Sequence, residues 1–174
     1  MSNFKYILRL TVTLLLITAV VAGLLGFVNY LTEDKIREGQ EEKAKAAMQE
    51  VLAAENYEPV ETAIEGINAA YRADDLGYVL DITSNGFGGA INMMVGISAE
   101  GKITGVSIVS HSETASLGAN CTREDFRDQF KDADGALSVK KDGGTVEALT
   151  GATVTSRAVT NGVNLAFEFF KEVQ

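Results

Sequence analysis

Cysteine occurs once in this chain, at Cys121, so no disulfide closes within it and no thiolate cluster can hold a metal. Histidine also occurs once, at His111, which leaves metal binding poorly supplied. Redox chemistry in such a chain calls for an organic cofactor. His111 reads as a strand-end residue bonding within its loop, and Cys121 as a buried small hydrophobe. Proline is limited to Pro59, and neither an internal repeat nor a low-complexity tract is present. Basic charge is in short supply too: the net charge is −9. With Lys5 and Arg9 set aside, the remaining 13 basic groups face 24 acidic ones, a balance of −11 over residues 33–174. A domain this acidic repels nucleic acid, and nucleic-acid binding is excluded.

The chain does have one long apolar run. Leu10 to Thr32 is 23 residues without a charge. At a helical rise it spans roughly 34 Å, enough for a hydrocarbon core of about 30 Å. The competing reading is a cleaved signal peptide, with Val20-Val21-Ala22 as a weak cleavage site. The apolar core of such peptides is about 7–15 residues, shorter than this run, so a membrane helix over 10–32 is expected. Lys5 and Arg9 precede the span, while Glu33 and Asp34 follow it. The positive-inside rule then puts residues 1–9 in the cytoplasm and the main domain, residues 33–174, on the extracytoplasmic side of the membrane.

Beyond the span, Glu33 to Asn56 is rich in Ala, Glu, Lys, Gln and Met and reads as a largely solvated helical stalk, assigned to 33–58. Pro59 ends it. From residue 59 to 174 the pattern is that of an α+β domain, an antiparallel sheet with packed helices. Asn68–Arg72, Tyr78–Thr83, Ala90–Ser98 and Ile103–Ser110 read as strands of a meander, with a tight connection at Ala99–Lys102. Thr122 is expected to cap a helix from Arg123 to about Lys131 that buries Phe126 with Phe130. Ala136–Lys140 is an expected strand, Asp142-Gly143-Gly144 a turn, and Ser156–Val173 the last helix.

Three loops could carry chemistry. Asn85 to Gly89 holds three glycines that would let backbone approach a flat or phosphorylated ligand, although such a loop is more often a plain hairpin turn. His111 to Asn120 is long and rich in donors and acceptors, as a binding loop or any surface loop would be. Leu149-Thr150-Gly151-Ala152-Thr153-Val154-Thr155-Ser156 crowds four hydroxyls and a glycine into a turn that opens a helix. Such a turn presents free N–H groups and the positive end of a helix dipole, which suits a phosphate. An ordinary hydroxyl N-cap is the plainer alternative.

Taken together, these stretches resemble a family. Gly77-Tyr78-Val79, Gly86-Phe87-Gly88-Gly89-Ala90-Ile91, Met94-Val95-Gly96-Ile97 with Gly101–Val106, His111-Ser112-Glu113-Thr114 with Leu117-Gly118, and Thr150-Gly151-Ala152-Thr153 with Thr155-Ser156 stand in the order and spacing of the FMN-binding domain of the G subunit of Rnf electron-transport complexes. The C subunit of the sodium-pumping NADH:quinone reductase shares that domain. The resemblance implies FMN joined covalently, as a phosphoester, to Thr153 by a flavin transferase. The N–H groups of Val154, Thr155 and Ser156 would hold the phosphate, with Gly151 and Ala152 leaving room for the phosphoribityl chain. Glu113, Thr114, Leu117 and Gly118 would contact the isoalloxazine, and Lys140 would stand where a cation stabilises a reduced, anionic ring. Two positions depart from the family pattern: Ala115-Ser116 replaces Pro-Gly, and Glu147 replaces the Asp that precedes the acceptor threonine by six residues. The implied role is an electron relay in a membrane-bound, ion-translocating ferredoxin:NAD oxidoreductase. Its partners would be the other membrane and peripheral subunits, the transferase and membrane lipid. The rivals are the quinone-reductase C subunit, a free-standing flavinylated protein, and a non-redox assembly subunit.

Overall fold

The computed structural model describes residues 2–173, with side chains from Phe4 onward; Met1 and Gln174, the ends of the expected first and last segments, lie outside the described residues. The chain divides into two compact units, residues 1–42 and residues 43–174.

Helix α1 runs without a break from Ser2 to Val51. Its apolar stretch, with a mean hydropathy of 2.4 over the best window, is long and apolar enough to cross a membrane. Thr11, Thr13, Thr18 and Thr32 each donate their hydroxyl to the carbonyl four residues back. Every threonine hydroxyl in the uncharged run is therefore satisfied within its own helix, as a bilayer demands.

The helix ends at Val51, short of Asn56, and its last turns are not a solvated stalk. Ala47, Met48 and Val51 are buried against Ala73, Val79 and Met94. The compact unit consequently begins at Lys43, ahead of the expected boundary at residue 59. Three contacts fasten the docked end. Thr104 Oγ1 donates to the Val51 carbonyl at 2.5 Å, Ser107 Oγ donates to Glu50 at 2.5 Å, and Arg127 pairs with Glu50 at 2.6 Å.

The sheet is an antiparallel meander of β1 (Tyr57–Val60), β2 (Ile67–Ala73), β3 (Gly77–Asn85), β4 (Ala90–Ser98) and β5 (Ile103–His111), ordered as in the chain. Pro59 lies inside edge strand β1, the kind of strand in which proline is tolerated, instead of ending the preceding helix. In the registers Leu80↔Val95 and Ile82↔Met93 the side chains point to one face, and Val79 and Met94 to the other. That first face packs on α3 (Thr153–Val173) through Val159, Val163, Ala166 and Phe169. Each central strand thus buries both faces.

Two expected elements are cut short. The helix from Arg123 shrinks to a single α turn, α2 (Glu124–Arg127), flanked by 3-10 turns at Gly118–Thr122 and Asp128–Phe130. Thr122 does not cap it: its hydroxyl donates back to the Ala119 carbonyl at 3.0 Å. Phe126 and Phe130 do meet edge to face, ring centroids 5.5 Å apart. The strand at Ala136–Lys140 is reduced to one bridge, Val139 with Val146, followed by a 3-10 turn at Lys140–Asp142. The last helix begins at Thr153, three residues earlier than its apolar face alone suggests.

Candidate functional site

The first turn of α3 opens on a cavity of about 400 Å³ between the 86–89 loop, the 113–118 loop and residues 151–155. Phe87, Leu117 and Val154 give it apolar walls, and Glu113, Thr114 and Thr153 give it polar ones. The Ser156 N–H donates to the Ala152 carbonyl at 3.0 Å, the first bond of the helix, so Ala152 is the N-cap. Alanine has no side-chain acceptor for the donors of that turn. Among the described residues nothing accepts from the N–H groups of Thr153, Val154 or Thr155. The hydroxyl-rich turn is therefore not a hydroxyl cap: the hydroxyls of Thr153, Thr155 and Ser156 are engaged elsewhere.

Those other bonds order the site. Thr155, fully buried, donates to Glu113 Oε2 at 2.7 Å. Ser156 donates to the Ala152 carbonyl and accepts from the Leu149 N–H at 2.9 Å, clamping the turn from beneath. Its own N–H is used in the helix, leaving Thr153, Val154 and Thr155 to supply the free donors instead of Val154 to Ser156. Gly151 bridges into the helix with φ +77, a left-handed conformation that an L side chain resists.

Glu113 joins the three loops. It is 9% exposed and accepts from Thr155 and from the Gly88 N–H at 3.0 Å. No cation lies within ion-pairing distance of it among the described residues. A Cβ on Gly86 or Gly118 would strike its carboxylate, and one on Gly88 would strike the Ser112 carbonyl. The glycines of the 86–89 loop therefore serve loop-to-loop packing as well as any approach to a ligand. His111 sits at the end of β5 and its Nδ1 accepts from the Glu113 N–H at 3.2 Å. Cys121 is buried behind the site, and burial together with the nearby Glu113 charge pushes its thiol up to about 11.

The 113–118 loop turns where the Thr114 carbonyl accepts from the N–H groups of Leu117 and Ala119. Ser116 stands at φ +64 in that turn, and Asn120 Nδ2 braces its carbonyl at 3.0 Å. A positive φ at the third position marks a type II turn, for which Pro then Gly is the favoured pair.

Not every expected residue reaches the cavity. Thr150 lines an adjoining groove of about 460 Å³ with Gln129 and Glu147. Lys140 is occupied by Glu147, Nζ to Oε2 at 3.0 Å, and does not line the cavity. The next residue takes its place: Lys141 Nζ donates to Thr153 Oγ1 at 2.9 Å. Phe87, 75% exposed at the rim, is the other residue that pattern reading passed over, although an aromatic flanked by glycines is a visible signal.

Residues 86–168 match the FMN-binding domain family, and residues 1–51 match the RnfG N-terminal region. The chain is 36% identical to the G subunit of the ion-translocating oxidoreductase complex of Methanosarcina acetivorans, over 97% of both chains. It is 32% identical to the G subunit of the Na(+)-translocating ferredoxin:NAD(+) oxidoreductase complex of Acetobacterium woodii, over 98% of this chain and 95% of that one. The proton-translocating counterpart from Clostridium ljungdahlii is 48% identical over 53% of this chain and 52% of its own. These matches define an FMN-binding-domain protein with an apolar N-terminal helix. Within that class, the chain belongs to the family of G subunits of ion-translocating, Rnf-type oxidoreductase complexes.

Proposed function

We propose that this chain is the electron-relay subunit of a membrane-bound, ion-translocating ferredoxin:NAD oxidoreductase and that it carries FMN as a phosphoester on Thr153. The observation that carries the reading is the position of the Thr153 hydroxyl. It lies on the wall of a cavity of about 400 Å³, at a helix start whose free N–H groups and lysine neighbour suit an anion. Apolar walls at Phe87, Leu117 and Val154 suit a flat ring, and the floor at Glu113 and Thr155 suits its polar edge. FMN, when bound, supplies reversible one- and two-electron transfer that none of the protein's own side chains offers. The chain's residues bind and orient it and exclude water from one side.

In this reading residues 1–9 are cytoplasmic, 10–32 lie in the bilayer, and the FMN-binding domain faces the extracytoplasmic side. The partners are the other membrane and peripheral subunits of the complex, surrounding lipid, and a flavin transferase during maturation. Likeness to G subunits along nearly the whole chain favours this over the quinone-reductase C subunit.

Co-expression with a flavin transferase, followed by a denaturing gel viewed under ultraviolet light, tests the attachment. The wild-type band fluoresces and the Thr153→Ala band is dark. Fluorescence of the Thr153→Ala band, or a tryptic peptide around residue 153 at its unmodified mass in fully matured wild type, removes the attachment site.

A further inference from the structure

We propose that Lys141 is the counter-cation of the phosphate on Thr153 and that the Asp142–Arg157 ion pair holds it there; this rests on the reading that Thr153 carries FMN. Lys141 Nζ donates to Thr153 Oγ1 at 2.9 Å. In a phosphoester that oxygen bridges to phosphorus, and the charged oxygens lie one bond further on, within reach of the same ammonium. Lys141 has no carboxylate within ion-pairing distance among the described residues, whereas its neighbours do: Lys140 has Glu147, Arg157 has Asp142, and Lys131 has Asp128.

The carboxylate adjacent in sequence is withheld from it. Asp142 accepts two bonds from Arg157, Nε at 2.6 Å and Nη2 at 2.7 Å. This forked pairing is the strong, directional kind. Arg157 follows Thr153 by four residues, one helical turn, on the same side of α3. The pair therefore fixes the 140–142 turn against the very face of α3 that bears Thr153, and Lys141 projects from the middle of that turn. Gly143, at φ +87, and the bond from the Asp142 N–H to the Val139 carbonyl at 2.8 Å shape the turn itself. A phosphodiester keeps a negative charge, and this chain already carries −9. The free N–H groups of α3 meet that charge from one side and Lys141 meets it from the other. Lys141 is in contact with the modified oxygen; Asp142 and Arg157 are positioning residues.

The test uses the full-length chain in membranes with the transferase, comparing wild type with Lys141→Met, Lys141→Arg, Arg157→Gln and the Lys141→Met/Arg157→Gln double variant. The initial rate of FMN attachment, read by intact mass, falls about tenfold in Lys141→Met, the effect of one lost charge-assisted hydrogen bond. Lys141→Arg keeps most of the rate. Arg157→Gln frees Asp142 to compete for Lys141 and lowers the rate, while the double variant is no slower than Lys141→Met alone. In the labelled fraction, the phosphorus-31 resonance of the phosphodiester moves in Lys141→Met and not in Lys141→Arg, a change that a purely structural role does not produce. Equal rates and an unmoved resonance in Lys141→Met overturn the inference while leaving the attachment site intact. A Lys141→Arg variant as slow as Lys141→Met also overturns it. An unlabelled wild type overturns the functional reading and takes this inference with it.

Discussion

Single residues at this site act through bonds that can be counted. Glu113 satisfies one buried donor, the Thr155 hydroxyl, and one half-buried donor, the Gly88 N–H. Glu113→Ala orphans the buried Thr155 hydroxyl, at about 1–3 kcal/mol, while the Gly88 N–H can turn to water. Chemical denaturation should report that loss, and a change of under about 1 kcal/mol would mean that water replaces the carboxylate freely. Ser116 sits in the left-handed region at φ +64, which costs an L residue about 1–2 kcal/mol. Ser116→Gly should therefore stabilise the domain by about 0.5–1 kcal/mol despite the extra freedom glycine brings to the unfolded chain. A lower melting temperature for Ser116→Gly contradicts the turn described here. Cys121, with its thiol raised to about 11, stays protonated and sealed at pH 8. A raised value means that its contribution to stability is intact below the ordinary thiol range and is lost as pH climbs through about 11. Alkylation by iodoacetamide at pH 8 should be negligible until denaturant is added.

At the scale of elements, the site is a meeting of three loops on one helix start. Gly118 is one of the close approaches, since a Cβ there would run into both Glu113 and Thr155. Gly118→Ala must shift the 3-10 turn at Gly118–Thr122, costing about 1–3 kcal/mol and displacing the Glu113 contact. Attachment of FMN should fall more than stability does, read by in-gel fluorescence beside a thermal melt; unchanged fluorescence would show that the loop can yield. The 3-10 turn at Lys140–Asp142 depends on charge as well. The Arg157 guanidinium holds the Asp142 carboxyl below its usual range. That clamp is fully present above the ordinary carboxylate range and is lost as pH falls through the lowered value. Attachment measured between pH 5 and 8 should not vary through Asp142.

The molecule as a whole depends on the end of α1. Met48 and Val51 cover the second face of the sheet, each worth about 1.5–3 kcal/mol of apolar burial. Glu50 fastens that end to Ser107 and Arg127. Burial alone would raise the Glu50 carboxyl, but its bonds to Arg127 and Ser107 outweigh that and lower it. A chain starting at Lys43 should fold as the compact unit does. One starting at Tyr57 leaves Val79 and Met94 bare and should be several kcal/mol less stable or aggregate. Equal denaturation midpoints for the two would show that the helix end adds nothing.

Much of this was legible in the sequence because it follows from local pattern. The uncharged run of 23 residues demanded a long apolar helix. Alternation and turn residues marked β3, β4 and β5, with Ala90–Ser98 matching at both ends. The spacing of Val159, Val163 and Ala166 marked α3, and the glycine and hydroxyl cluster ahead of it marked the cavity wall. The misreadings fall where distant contacts outweigh local preference. Ala47, Met48 and Val51 form a stripe too thin to announce burial, yet the sheet supplies a face for them. Arg123–Lys131 has the composition of a helix, but Arg127 is bonded across to Glu50 and the Val106 carbonyl, and the chain there runs in short turns that still bury Phe126 and Phe130. Lys140 and Lys141 are interchangeable as letters. Which of them meets Thr153 depends on Glu147 capturing one and Arg157 removing the other's nearest rival, choices made by side chains up to 15 residues apart and visible only once the chain has folded.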